Sequence, residues 1–152
     1  MPGKFYEDFV VGEVLRRQPG RTITESDNVL FTCLTMNPSS THLDEEWMTG
    51  SEFRHRLVNS TLTLAVVVGL SVGDTILGTS IANLGFKEVE FPAPVFHGDT
   101  ISAETRVLDK RDSRSRPDAG VVVFEHRGLN QRGALVCRCQ RANLMRKRAL
   151  PS

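Results

Sequence analysis

One segment limits the possible folds more than any other. Residues 60–71 read STLTLAVVVGLS, apolar on nearly every side of a helical projection. A helix without a polar face has to be enclosed by the rest of the chain. The β-branched residues would also suit a strand, but the length and the glycines at 69 and 73 favour a helix that ends there. Beyond Leu77 the apolar period changes to two. Val89 and Phe91 alternate with Glu88 and Glu90, and Ile101, Ala103, Thr105 and Val107 alternate with Ser102, Glu104 and Arg106. Residues 121–126 and 134–144 continue the strand pattern. The linkers are turn-rich: Pro92-Ala93-Pro94, Gly98-Asp99, residues 113–120 and residues 130–133. The charged 113–120 linker is expected to be mobile. One buried helix followed by several long strands points to the α+β class: a long buried central helix wrapped by a curved antiparallel sheet. So small a sheet leaves apolar surface and an open edge, which a second copy would cover.

Upstream, residues 5–23 read as extended, with a turn at Pro19-Gly20. Thr24 followed by Asp27 approximates a capping box, and Val29, Leu30, Cys33 and Leu34 then recur at helical spacing. The cluster Asn37-Pro38-Ser39-Ser40 should stop this helix near Met36. That leaves His42 in a loop, with Asp44 capping a short helix through Trp47.

A length of 152 residues suits one domain over 1–152. Lys+Arg total 19 and Asp+Glu 18, a balance that argues against a nucleic-acid partner. Cys33, Cys137 and Cys139 form neither a disulfide framework nor a zinc pattern, so reduced thiols and no metal are expected. Residues 1–8 are polar and lack a leader's apolar run. The longest apolar stretch, residues 62–72, is too short for a bilayer. A cytoplasmic protein without a membrane partner is the expectation.

His42 can gain or lose a proton near neutrality, which suits acid–base work as well as an idle surface histidine. Asn37, Ser39 and His42 fall on one short turn. Asn and Ser can orient a water or a thioester by hydrogen bonds, and they are equally what turns are made of.

Three stretches together resemble the MaoC-like dehydratase family. Residues 34–44, LTMNPSSTHLD, resemble its Asp-x-Asn-Pro-x-His motif, which is followed by an acid. Residues 57–70, LVNSTLTLAVVVGL, resemble the opening of its central helix, and residues 91–101, FPAPVFHGDTI, its Pro-Val-x-x-Gly-Asp turn. In detail they are similar to the branch of mesaconyl-CoA and itaconyl-CoA hydratases. The resemblance implies a hot-dog fold, a homodimer or dimer of dimers, and syn addition of water to an enoyl-CoA thioester without a cofactor. It gives His42 the acid–base role, with Asn37 and Ser39 beside it. The thioester oxygen would meet a backbone N–H at the helix start, among Ser60, Thr61, Leu62 and Thr63. Asn83, Leu84, Gly85, Phe86, Pro94, Val95 and Phe96 would flank the pantetheine arm. Arg56 could pair with a second carboxylate on the acyl group.

The chain departs from the motif in places. Anchored on His42, Asn37 stands at the family's catalytic Asp, Ser39 at its Asn and Ser40 at its Pro. Asn37 cannot act as a carboxylate base. It could orient the water, or Asp44, Glu45 or Glu46 could supply a carboxylate, or the chain could bind acyl-CoA without turnover. A thioesterase is a further alternative on the same fold.

Overall fold

The computed structural model describes residues 3–149, apart from the side chains of Arg17 and Gln18. The ends of the expected 1–152 domain lie outside those residues. A 3-10 turn at Tyr6–Asp8 precedes strand β1, Val14–Thr22. Helices α1 (Glu25–Leu34), α2 (Ser40–Leu43), α3 (Glu45–Thr49) and α4 (Ser60–Thr75) follow. Four strands complete the chain: β2 (Ser80–Glu90), β3 (Thr100–Asp112), β4 (Ala119–Leu129) and β5 (Leu135–Arg146). The five strands form one antiparallel sheet in the order β1-β3-β4-β5-β2, with β1 and β2 at its edges.

The helix α4 lies on this sheet, which covers one side of it rather than enclosing it as its sequence suggests. Its sheet-facing positions Leu62, Thr63, Val67, Ser71 and Thr75 are buried. Helix and sheet come close at Gly128 of β4, where a Cβ would stand 2.4 Å from Val67 Cγ2, so glycine suits the position beneath the helix. The opposite side of α4 is not enclosed: Ala65 and Gly69 are exposed. A helix wrapped by a curved sheet of this order is the hot-dog architecture.

The register divides the inner face of the sheet into two apolar clusters. One gathers Ile23, Val58, Leu62, Val67, Ile101 and Cys137 around the start of α4. The other gathers Phe9, Ile76, Val107, Val122, Phe124 and Met145 around its end. Between them runs a row in which Thr105 pairs with His126 and His126 with Cys139. His126 is buried, bonded through Nδ1 to Thr105 Oγ1 at 2.9 Å, with Nε2 unpartnered among the described residues.

Several local expectations need correction. Pro19-Gly20 is not a turn but lies within β1, where the register shifts between Arg17 and Arg21. Strand pairing with β3 overrides the local turn preference there, and Gly20 allows the close contact, since a Cβ would meet Ile101 O at 2.6 Å. Helix α4 continues to Thr75, past both glycines, because its last turns pack on the sheet. The 113–120 linker is a closed turn, pinned by Ser113 N–H to Ala119 O and Ala119 N–H to Arg116 O. The largest difference is in α1. Its buried residues are Asn28 and Thr32, while Leu30 is 70% exposed and Leu34 77% exposed.

Candidate active site

The chain between α1 and α4 builds the site. Thr24 caps α1 through Asp27 N–H, and the Asp27 carboxylate returns to Thr24 N–H at 2.8 Å. After α1 ends, Met36 turns the chain at φ 57°, and Asn37 Oδ1 accepts Ser39 N–H at 3.0 Å. This side-chain-closed turn launches α2, so His42 sits on a short helix rather than in a loop. Asp44 ends α2 and caps α3 by accepting Trp47 N–H at 2.9 Å.

Residues 57–59 then run along the 95–96 segment. Leu57 forms a bridge with Phe96, and Val58 N–H donates to Val95 O at 2.8 Å. The 95–96 segment is itself fixed by Asp99, 5% exposed, which accepts Phe96 N–H at 3.0 Å and Gln131 Nε2–H at 2.6 Å. This is the turn in which the sequence holds Gly98-Asp99, and Gly98 supplies its φ of 92°.

The strip presents Leu57 O to the His42 ring. His42 Nδ1 lies 2.8 Å from that carbonyl. A carbonyl only accepts, so Nδ1 carries the hydrogen and Nε2 is left with its lone pair when the ring is neutral. His42 lines a cleft of about 400 Å³ together with Ser60 and Thr63 at the start of α4. Its walls are apolar: Phe53, Phe91, residues 92–95, Leu57, Val58 and Val136.

At the helix start, Asn59 Oδ1 accepts both Thr61 N–H at 3.1 Å and Thr61 Oγ1–H at 2.6 Å. Thr63 N–H donates to Asn59 O. The N–H groups of Ser60 and Leu62 have no partner among the described residues, and the helix dipole adds partial positive charge there. The cleft therefore combines a ring nitrogen able to take a proton, a helix end suited to a developing oxyanion, and apolar walls.

Of the residues the sequence nominated, the structure brings His42, Ser60, Thr63, Pro94 and Val95 together in this cleft. Asn37 and Ser39 directly precede α2 and do not line the cleft; the Asn37 amide nitrogen has no partner among the described residues. Thr61 is committed to Asn59, and Leu62 packs into the core toward α1. Asn83, Leu84, Gly85 and Phe86 are exposed on the edge strand β2. Arg56 is not available to an acyl carboxylate. It holds Glu25 and Glu45, with Nε 2.8 Å from Glu45 Oε2, in a separate cleft with His55, Phe96 and His97. Hydrogen bonds from Arg56 and His55 hold the Glu45 carboxyl down to about 2, which keeps it ionised and bound to them.

Sequence reasoning missed Asn28, which is fully buried. Its Oδ1 accepts Asn59 N–H at 2.8 Å, and its Nδ2 lies 3.0 Å from both Leu57 O and His97 Nε2. The available signal was its place one turn before Thr32, which makes a polar stripe along α1.

The family model of the MaoC like domain matches residues 8–127. The mesaconyl-CoA hydratase of Cereibacter sphaeroides is 32% identical over 146 residues, which is 96% of this chain and 42% of that protein. The beta-methylmalyl-CoA dehydratase of Chloroflexus aurantiacus is 33% identical over 147 residues, 97% of this chain and 41% of that protein. This chain thus spans less than half the length of these two relatives. The solved MaoC-like dehydratase from Rhodospirillum rubrum superimposes with a TM-score of 0.85 at 31% identity, covering 97% of this chain and 100% of that one. Motif order, helix-on-sheet architecture, the His42 cleft and these matches agree, and the chain belongs to the MaoC-like domain family.

Proposed function

We propose that the chain catalyses the reversible hydration of an enoyl-CoA thioester in the His42 cleft. The observation that carries this reading is the tie from His42 Nδ1–H to Leu57 O, which leaves Nε2 unengaged in a cleft that also contains the start of α4. In the forward direction Nε2 removes a proton from water as the water oxygen bonds to Cβ. The C=C electron pair moves into the thioester, and the Ser60 N–H at the start of α4 holds the enolate oxygen. The imidazolium then returns the proton to Cα, so one molecule of water is added from one side. Asn37 cannot take the proton and does not line the cleft, so His42 does the proton transfer alone. The enoyl group rests against the apolar walls, with coenzyme A leading outward. The active unit is a homodimer joined at the sheet edge.

The names of the relatives make mesaconyl-CoA a substrate to test, and the apolar walls make crotonyl-CoA another. Loss of the conjugated-thioester absorbance on mixing with crotonyl-CoA, mesaconyl-CoA and itaconyl-CoA is the expected result. Release of free thiol without loss of the double bond would instead identify a thioesterase. Binding without either reaction would identify an acyl-CoA-binding protein, and Asn37 at the family's Asp position is the feature that favours that outcome.

A further inference from the structure

We propose that Asn28 is the positioning residue that sets both the His42 ring and the entry of α4, and that His97, through Asn28, makes this setting depend on its own protonation. The proposal rests on the reading of His42 as the acid–base group.

The roles in the network are forced by its ends. Leu57 O can only accept, and Asn59 N–H can only donate. The Asn28 amide therefore has one orientation, with Nδ2 toward Leu57 O and Oδ1 toward Asn59 N–H. Its second Nδ2 hydrogen then points at His97 Nε2, 3.0 Å away, so that nitrogen must be an unprotonated acceptor. Leu57 O receives two hydrogen bonds, from Asn28 and from His42 Nδ1. One buried amide thus braces the carbonyl that orients His42 and the residue that caps α4.

Protonation of His97 would set an N–H against the Asn28 NH2. The amide can relieve that conflict only by flipping, which removes a donor from Leu57 O and turns the NH2 toward Asn59 N–H. Both parts of the cleft would lose their brace together. The surroundings of His97 favour the neutral ring: burial and the Arg56 charge pull its pKa below the ordinary value. The carboxylates of Glu25 on α1 and Glu45 on α3 act in the opposite sense, but both are already paired with Arg56, and His55 is paired with Glu45.

Nitrogen-15 NMR of the labelled histidine rings tests this without requiring turnover. In the wild type at pH 8, His42 should show the Nδ1–H tautomer. On acidification its signals should move in two steps, one of them coincident with the ionisation of His97. His97→Gln keeps an acceptor for Asn28 but does not titrate, so the coincident step should vanish. Asn28→Asp replaces the amide donor with a carboxylate, and His97 should then hold its proton to a pH about one unit higher. In the same variant kcat should fall about 10–100-fold with KM little changed. A His42 titration identical in the wild type and in His97→Gln would overturn the proposal, and that comparison stands even if Asn28→Asp does not fold. Coupled histidines in a wild type without hydratase activity would remove the proposed reaction but leave the positioning network. Turnover with uncoupled histidines would do the reverse.

Discussion

At the scale of single residues, two histidines differ through their partners. His42 has a fixed tautomer and a nitrogen in the cleft, so its removal should act on rate and not on fold. His42→Ala should lower kcat about 10²–10⁴-fold with an unchanged circular dichroism spectrum. A rate within twofold of wild type would exclude it from the chemistry. His126 is enclosed at 1% exposure, and burial, with the Arg141 charge, pushes its pKa down to about 3. The unfolded chain binds that proton near pH 6.5, well before the fold does. Stability is therefore complete above about pH 6.5 and declines as the pH falls toward 3, by about 2 kcal/mol at pH 5. Urea midpoints at pH 7 and pH 5 measure the slope, and His126→Gln should flatten it. An equally steep loss in that variant would place the acid sensitivity elsewhere.

At the scale of elements, α1 shows what periodicity can and cannot reveal. The capping box at Thr24 was legible because it depends on residues three apart. Thr24→Ala should cost about 1 kcal/mol, read as a lower urea midpoint. An unchanged midpoint would mean that tertiary contacts alone hold the start of α1. The buried face of the same helix was not legible. Val29, Leu30, Cys33 and Leu34 recur at helical spacing, yet the buried residues are Asn28 and Thr32. Hydrogen bonds to Leu57, Asn59 and His97 set the rotation of α1, and those partners are 29 to 69 positions away in sequence. The strands and α4 were readable because their signal is local alternation or an unbroken apolar run. The cleft was only half readable: His42 and Ser60 fall within recognisable motifs, whereas the carbonyl that orients His42 is a backbone group that no side-chain pattern marks.

At the scale of the whole molecule, the two sheet edges differ in a way that selects one for pairing. The β1 edge carries Arg16 and Arg21, whose side chains are 72% and 53% exposed, and such charges discourage strand addition. The β2 edge instead exposes Leu84, Phe86, Val89 and, just beyond it, Phe91, each between 39% and 51%. Phe91 also lines the His42 cleft, so a partner at this edge would border the site. Its main chain has irregular register with β5, with Gly85 at φ 144° and Glu88 at φ 50°, so pairing with a second copy would be confined to part of the strand. The wild type should therefore be a dimer by light scattering at micromolar concentration. Phe86→Lys adds a charge at the seam without touching the cleft lining, and it should shift the protein to monomer while far-ultraviolet circular dichroism stays the same. If the partner covers Phe91 at the cleft, turnover of the variant should rise with protein concentration as dimer re-forms. A monomeric wild type would reject the edge-to-edge assembly. A dimer undisturbed by Phe86→Lys would move the contact to another uncovered apolar surface, such as that formed by Leu30 and Leu34 of α1 beside the open side of α4.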